Sequence, residues 1–173
     1  SYSEGFRPNS GYDSNGDAFE PEETASFEAG IKFNTDSVSG SFTVFSAEKS
    51  NMLTTDLQAG VSTALGEVTR DGIELDLHGD MTDSMSFDFA YTYTDAKTAN
   101  DTVNPDWWVK LPKGSPLLNI PKHSANAQIK RDLNDLVDLN ATVGLAVQYV
   151  GERLGETIDP TYYLPSYTLV NMF

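Results

Sequence analysis

The ten residues SFDFAYTYTD, at positions 86–95, decide the fold of this protein. Phe87, Phe89, Tyr91 and Tyr93 occupy every second position, and polar or small residues stand between them. Because side chains two residues apart on a β-strand lie on the same face of the sheet, this segment predicts a strand with one apolar and one polar face. A helix is excluded, because a stripe of period 3.6 would collect polar residues.

The same alternation recurs in four other segments of the chain. Their apolar positions are Phe27, Ala29, Ile31 and Phe33; Ile73, Leu75 and Leu77; Ala125, Ala127 and Ile129; and Leu139, Ala141, Val143, Leu145, Val147 and Tyr149. Together with less regular segments, they predict about eight antiparallel strands joined as hairpins. These strands lie at about 1–6, 24–34, 39–50, 66–78, 84–96, 122–132, 138–151 and 165–173. The sequence contains no run of about 18 apolar residues, so it predicts no transmembrane helix.

The lengths of the strands and of their connections favour a membrane barrel over a soluble sandwich. The commonest strand length in globular proteins is about 5–6 residues. Membrane strands need about 9–11 residues, which is the length predicted here. Short polar turns lie at 34–37, 79–83 and 132–135, and long connections at about 7–23, 51–66, 97–121 and 152–165. This alternation is typical of outer-membrane barrels, with short periplasmic turns and long extracellular loops. We therefore predict an all-β chain that forms a segment of an antiparallel up-and-down transmembrane β-barrel.

Tyrosines stand near the loop ends of several predicted strands. Tyr91, Tyr93, Tyr149 and Tyr167 would form an aromatic girdle at the membrane interface if all of them lay on the apolar face. Tyrosine is also common in strands for reasons of packing alone. The sequence leaves these two interpretations open.

Composition excludes several classes of function. The net charge of −15 and the pI near 4.2 argue against a basic surface that would bind nucleic acid. The absence of cysteine excludes disulfides and thiolate metal sites. No nucleophile elbow and no phosphate-binding glycine loop is present, so we expect no enzymatic activity and no cofactor.

Several stretches resemble landmarks of the TonB-dependent siderophore receptors, in the order and spacing of that family. They are YSEGFRP at 2–8, FEPEET at 19–24 with FEAGIKF at 27–33, GEVTRDGIELD at 66–76, AYTYTDA at 90–96, IPKHSA at 120–125, YVGER at 149–153 and LPSYTLV at 164–170. Each stretch is weak by itself. Together they cover nearly the whole chain, which makes the resemblance specific.

The resemblance implies a closed barrel of 22 strands filled by an N-terminal plug, which imports ferric siderophores with energy from the TonB complex. It implies that residues 1–173 are a partial barrel domain, about strands 13 to 20, without the plug, the TonB box or the last two strands. The expected partners are a ferric siderophore, outer-membrane lipid and, through the missing plug, the TonB complex. The expected location is the outer membrane of a Gram-negative bacterium.

Aromatic and cationic residues of the long connections are the candidate ligand-binding residues, because ferric siderophores are usually anionic and often aromatic. These candidates are Arg7, Tyr12, Trp107, Trp108, Tyr162 and Tyr163. Any one of them could instead pack one loop against another.

Metal binding finds little support in the sequence. Asp13, Asn15 and Asp17 resemble the start of a calcium loop, but Ala18 replaces the required glycine and Thr24 the required glutamate. His78 and His123 have no partner at metal-ligand spacing. We therefore expect an acidic surface loop, two structural histidines and no metal site.

Two other functions remain open at this stage. A soluble acidic β-sandwich could serve as a binding or adhesion module, with Phe87 and Phe89 packed in its core. A passive porin would share the barrel but would lack energy coupling.

Overall fold

The computed structural model describes residues 1–13, 15–56, 61–104, 109–134, 140–156 and 159–173. Its β-strands are β1 (Tyr2–Arg7), β2 (Glu22–Asn34), β3 (Val38–Asp56), β4 (Val61–Thr82), β5 (Met85–Thr98), β6 (Thr102–Asn104), β7 (Val109–Leu111), β8 (His123–Asp132), β9 (Thr142–Val150), β10 (Arg153–Leu154), β11 (Tyr163–Leu164) and β12 (Tyr167–Met172). Within these ranges, no helix is both long and apolar enough to cross a membrane.

Eight of these strands form one antiparallel sheet in the order β1-β2-β3-β4-β5-β8-β9-β12. Each of the eight pairs with the next of them along the chain. Between them, β6–β7 and β10–β11 form separate two-stranded hairpins inside long connections. No second large sheet packs against it in the described part of the chain. The up-and-down order confirms the predicted fold class and is not that of a β-sandwich, in which two sheets enclose a core.

The strand register joins the predicted apolar positions into one continuous surface. Directly opposed residues lie on the same face of an antiparallel pair. One row across the sheet runs Phe42, Leu75, Tyr91, Ala125 and Tyr149 on β3, β4, β5, β8 and β9. We call this surface the apolar face.

The opposite surface, which we call the polar face, has its own row across the same strands. It runs Ser41, Asp76, Ala90, Asn126 and Gln148. An open trough of about 780 Å³ lies over this face and is lined by residues of seven strands, many of them polar. The polar face is therefore the lumen side of the wall.

The apolar face is not covered by any described part of the chain. Phe42 and Val44 are each 38% exposed and Leu145 is 43% exposed, although all three lie on strands paired at both edges. Among the described side chains, Ala96 and Leu154 are the only buried hydrophobic residues. A soluble sheet would bury such a face in a core, so this arrangement requires another apolar medium, and lipid provides it.

Charged residues limit the apolar face at both ends. Arg131, opposite Met85, marks the turn end, and Asp95 marks the loop end. The ten residue steps from Met85 to Asp95 span about 34 Å along the strand, or about 25 Å across a bilayer at the usual tilt, which matches the apolar band of outer-membrane barrels.

Three of the four tyrosines considered for an aromatic girdle lie on the apolar face, and the fourth does not. Tyr91, Tyr93 and Tyr149 lie on the apolar face near its loop end. Tyr167 is opposite Val150 and therefore lies on the polar face. A long connection separates β9 from β12, so the alternation of β9 cannot be continued into β12. The sequence therefore did not reveal that Tyr167 lies on the opposite face.

Two predicted connections are largely taken up by extensions of the flanking strands. The interval 51–66 was predicted as a loop, but β3 continues to Asp56 and β4 begins at Val61, so a long hairpin projects beyond the wall. The turn predicted at 79–83 is also shorter, because β4 continues to Thr82 and β5 starts at Met85. Beyond the bilayer both faces of a hairpin meet water, and apolar alternation no longer marks it.

An irregularity in the β3–β4 register marks the point where this hairpin leaves the wall. The register shifts between Lys49 and Met52, with Gly66 opposite Met52. Asn51 and Gly66 have positive φ angles of 55° and 97°, a conformation that asparagine and glycine tolerate better than other residues. The bulge lets the hairpin bend relative to the strands below it.

Candidate functional site

The polar face carries an ion-pair network near its turn end. Nδ1 of His78 lies 2.5 Å from Oδ1 of Asp88, and Nζ of Lys130 donates to Oδ2 of Asp88 over 3.1 Å. The three residues come from β4, β5 and β8, so the network links adjacent strands across the floor of the trough. His78 is therefore engaged in a structural contact, as predicted.

A second ion cluster lies at the loop end of the polar face, between β1, β2 and β3. Glu22 accepts from Nη2 of Arg7 at 3.1 Å and pairs with Nζ of Lys49 at 2.8 Å. The Glu22 side chain is only 8% exposed, whereas that of Arg7 is 72% exposed. Arg7 thus has one side of its guanidinium held by Glu22 and the rest open to the outer solution.

Two asparagines fasten the first long connection to this cluster. Nδ2 of Asn9 donates to the carbonyl oxygens of Glu20 and Asn51, at 2.6 and 2.9 Å. Nδ2 of Asn51 donates in turn to the carbonyl oxygen of Pro21 at 3.0 Å. The base of the connection is therefore tied to the β3 bulge, which orients Arg7.

The tip of the first connection is a tight acidic turn. Oδ1 of Asp13 accepts the backbone N–H groups of Asn15 and Asp17 at 2.8 and 2.9 Å, a self-contained Asx turn. These N–H groups, first that of Asp17, lower the pKa of the Asp13 carboxyl below its ordinary value. No group of three or more potential metal ligands occurs among the described residues. Tyr12 is 71% exposed beside this turn.

The connection between β5 and β8 returns along the edge of β5 before β8 begins. The backbone N–H of Thr98 donates to Ser115, that of Thr94 donates to Lys122, and Leu117 donates to Ala96. This pairing buries the side chains of Thr94, Ala96 and Thr98. It also brings the segment 116–122 beside the connection that follows β9.

Arg153 is the central contact between these two connections. Its Nε donates to Oδ1 of Asn119 at 2.7 Å, and its guanidinium carbon lies 5.7 Å from the centre of the Tyr167 ring. Within the described residues, its Nη1 is buried and has no hydrogen-bond partner. A buried donor without an acceptor costs about 1–3 kcal/mol, so this nitrogen is a site where an acceptor would bind favourably.

A cleft of about 480 Å³ lies between the two connections, and we call it the Arg153 cleft. Its lining residues include Lys122, His123, Tyr149, Glu152, Arg153 and Tyr163. The hydroxyl of Tyr91 lies 2.8 Å from Nδ1 of His123, which holds that imidazole at the apolar-face side of the cleft. Asp95 lies 3.5 Å from Nζ of Lys122 but closer, at 2.7 Å, to Lys97.

The structure separates the predicted ligand-binding residues into two groups. Arg7 and Tyr12 lie by β1, and Tyr162 and Tyr163 lie between β9 and β12, near the other edge of the sheet. Of the two tyrosines, Tyr163 lines the Arg153 cleft, and Tyr162 is 53% exposed. Trp107 and Trp108 lie outside the described residues.

Arg153 and Lys122 were not predicted from the sequence as members of a site. Arg153 follows β9 closely and Lys122 precedes β8, so both stand at strand ends where functional side chains often occur. Only the return of the 112–122 segment along β5 brings them together. The signal available in the sequence was a cationic residue at the end of each of two adjacent strands.

The whole chain, residues 1–173, matches the family model described as TonB dependent receptor-like, beta-barrel. The chain is 36% identical over 175 residues to the metal-pseudopaline receptor of Pseudomonas aeruginosa, a match that covers 98% of this chain and 23% of that protein. It is 29% identical to the ferrioxamine B receptor of Salmonella typhimurium, over 99% of this chain and 24% of that protein. The chain thus spans about a quarter of the length of these relatives.

A solved structure shares the fold of the chain. The siderophore receptor PiuA from Acinetobacter baumannii superposes with a TM-score of 0.71 at 24% identity, over 99% of this chain and 26% of that one. The apolar face, the lumen trough and the long connections at one end agree with the family match. The chain therefore belongs to the TonB-dependent receptor β-barrel family, which places it in the outer membrane of a Gram-negative bacterium.

Proposed function

We propose that the protein containing this chain takes up ferric siderophores, or closely related metal chelates, by TonB-dependent transport. The observation that carries the proposal is the family match along all 173 residues, with relatives that are named as receptors for metal-pseudopaline and ferrioxamine B. This segment would supply eight strands of the wall and the extracellular connections above them. No enzymatic step and no bound cofactor form part of the proposal.

The two faces of the sheet support this division of roles. The apolar face would contact outer-membrane lipid, and the polar trough would face a plug encoded outside residues 1–173. That plug would carry the contact with the TonB complex. Arg7, Tyr12, Tyr162 and Tyr163 would meet the cargo at the outer end, together with Trp107 and Trp108.

Uptake of iron-55 by intact cells tests the proposal. Strains with and without the full-length gene would be supplied with ferric ferrioxamine B, ferrichrome or ferric citrate. We expect uptake of at least one chelate to require the gene and to stop when TonB is deleted. Gene-dependent uptake that survives loss of TonB would indicate a passive porin. The proposal would be contradicted if, for every chelate, uptake were the same with and without the gene.

A further inference from the structure

We propose that the Arg153 cleft is an anion subsite that receives a carboxylate-type oxygen group of the transported chelate. The inference rests on the proposed function and names a chemical requirement of the cargo. Arg153 would be the principal binding residue, and Lys122 would add a second positive charge.

Arg153 is held rigidly but is not fully hydrogen-bonded. Its guanidinium is held in place by Asn119 on one side and by the Tyr167 ring on the other, so its orientation is fixed before any ligand arrives. Nη1 has no acceptor within the described residues. Because Arg153 lines the cleft, an oxygen that enters the cleft would meet its guanidinium. A fixed planar guanidinium is well suited to bind a carboxylate through two parallel hydrogen bonds.

The Arg153 cleft brings positive charge together in an acidic protein. The chain carries a net charge of −15, yet Lys122 and Arg153 both line the cleft and Glu152 is its one lining carboxylate. Asp95 offsets Lys122 only in part, because Lys97 lies closer to that carboxylate. The cleft is therefore locally cationic in a chain whose overall charge is strongly negative.

The size and the lining of the Arg153 cleft suit a small ligand. A volume of about 480 Å³ falls within the usual range of small-molecule sites, which is about 300–1,000 Å³. Tyr149 and Tyr163 supply aromatic walls beside the two cations. A site with a few fixed cations among aromatic rings would bind an anionic chelate more tightly than a neutral one.

Anionic oxygen at this location could also come from a lipid phosphate of the outer leaflet, because the cleft adjoins the loop end of the apolar face. The shared chemistry is an oxygen anion that accepts from a guanidinium. A soluble carboxylate and a membrane phosphate can be offered separately, so an experiment can distinguish the two sources.

The experiment uses the purified full-length receptor in detergent, with calorimetric titration of citrate and ferric citrate as the probes. We expect binding to weaken about ten-fold or more in Arg153→Gln, which corresponds to loss of a charge-assisted hydrogen bond. Arg153→Lys should recover part of the affinity, because it keeps the charge but not the fork. Lys113→Gln removes the same charge from an exposed position of the neighbouring connection and should change the affinity less than about two-fold.

Each outcome has a defined meaning. The heat-modified gel shift of the folded barrel shows first that every variant has folded. The proposal is overturned if wild-type receptor binds neither probe, or if Arg153→Gln binds citrate as wild type does. It is also overturned if Arg153→Gln changes only lipid binding, so that the variant retains less lipid A than wild type in vesicles of phosphatidylethanolamine and lipid A. Cellular iron uptake that depends on the gene and TonB in any of these cases would leave the proposed transport function standing.

Discussion

The two faces of β5 share one backbone and differ only in what lies beside them. Phe87, Phe89 and Tyr91 lie on the apolar face toward lipid, whereas Asp88 and Thr92 lie on the polar face. On the apolar face, stability depends on the absence of charged side chains, because lipid cannot solvate a charge. On the other, charges are accepted because neighbouring strands supply partners such as His78 and Lys130. The same substitution should therefore have different effects at adjacent positions.

Phe89→Arg should produce the largest effect on this contrast. A guanidinium near the bilayer midplane should lower the free energy of unfolding by about 2–4 kcal/mol. Thr92→Arg, on the polar face of the same strand, is the control, because Glu74 lies directly opposite and can pair with the new charge. Urea titration of the full-length receptor in lipid vesicles measures both variants. Equal losses for the two would mean that the faces are wrongly assigned.

Glu22→Gln should have an intermediate effect, because a largely buried carboxylate there has two cationic partners. We expect a loss of about 1–2 kcal/mol, between the values typical of exposed and of buried pairs. Hydrogen exchange in the connection 8–21 should increase as its base loosens.

The matched control for this variant is Glu23→Gln, at the next position on the opposite face, where the side chain is exposed. It removes the same charge and should leave the exchange rates unchanged. If the two variants behave alike, net charge and not the ion cluster sets the stability of this connection.

Asp88→Asn should have the smallest effect of the three. Its partners are well exposed, with side-chain exposures of 63% for His78 and 40% for Lys130, so solvent screens both pairs. We expect a loss below about 1 kcal/mol in the urea titration, and a smaller one in high salt. A loss as large as that of Phe89→Arg would show that the polar face is a sealed interior and not a solvated trough.

The sequence by itself determined the membrane wall, because a strand between lipid and a polar lumen must alternate with a period of two. The segment 86–95 shows this most clearly, and β5 extends over it from Met85 to Thr98. The same reasoning found only part of the site. It selected Tyr163 and Arg7 by residue type, but it could not place them near opposite edges of the sheet.

Tertiary structure alone decided what lies beyond the bilayer. The β3–β4 hairpin is held by backbone pairing, which depends little on side-chain type, and its outer part carries no regular apolar alternation in the sequence. The face of Tyr167 depends on how the chain crosses a long connection before it pairs with β9. The Arg153 cleft depends on a contact between Asn119 and Arg153, 34 positions apart, and no local periodicity encodes a contact of that range.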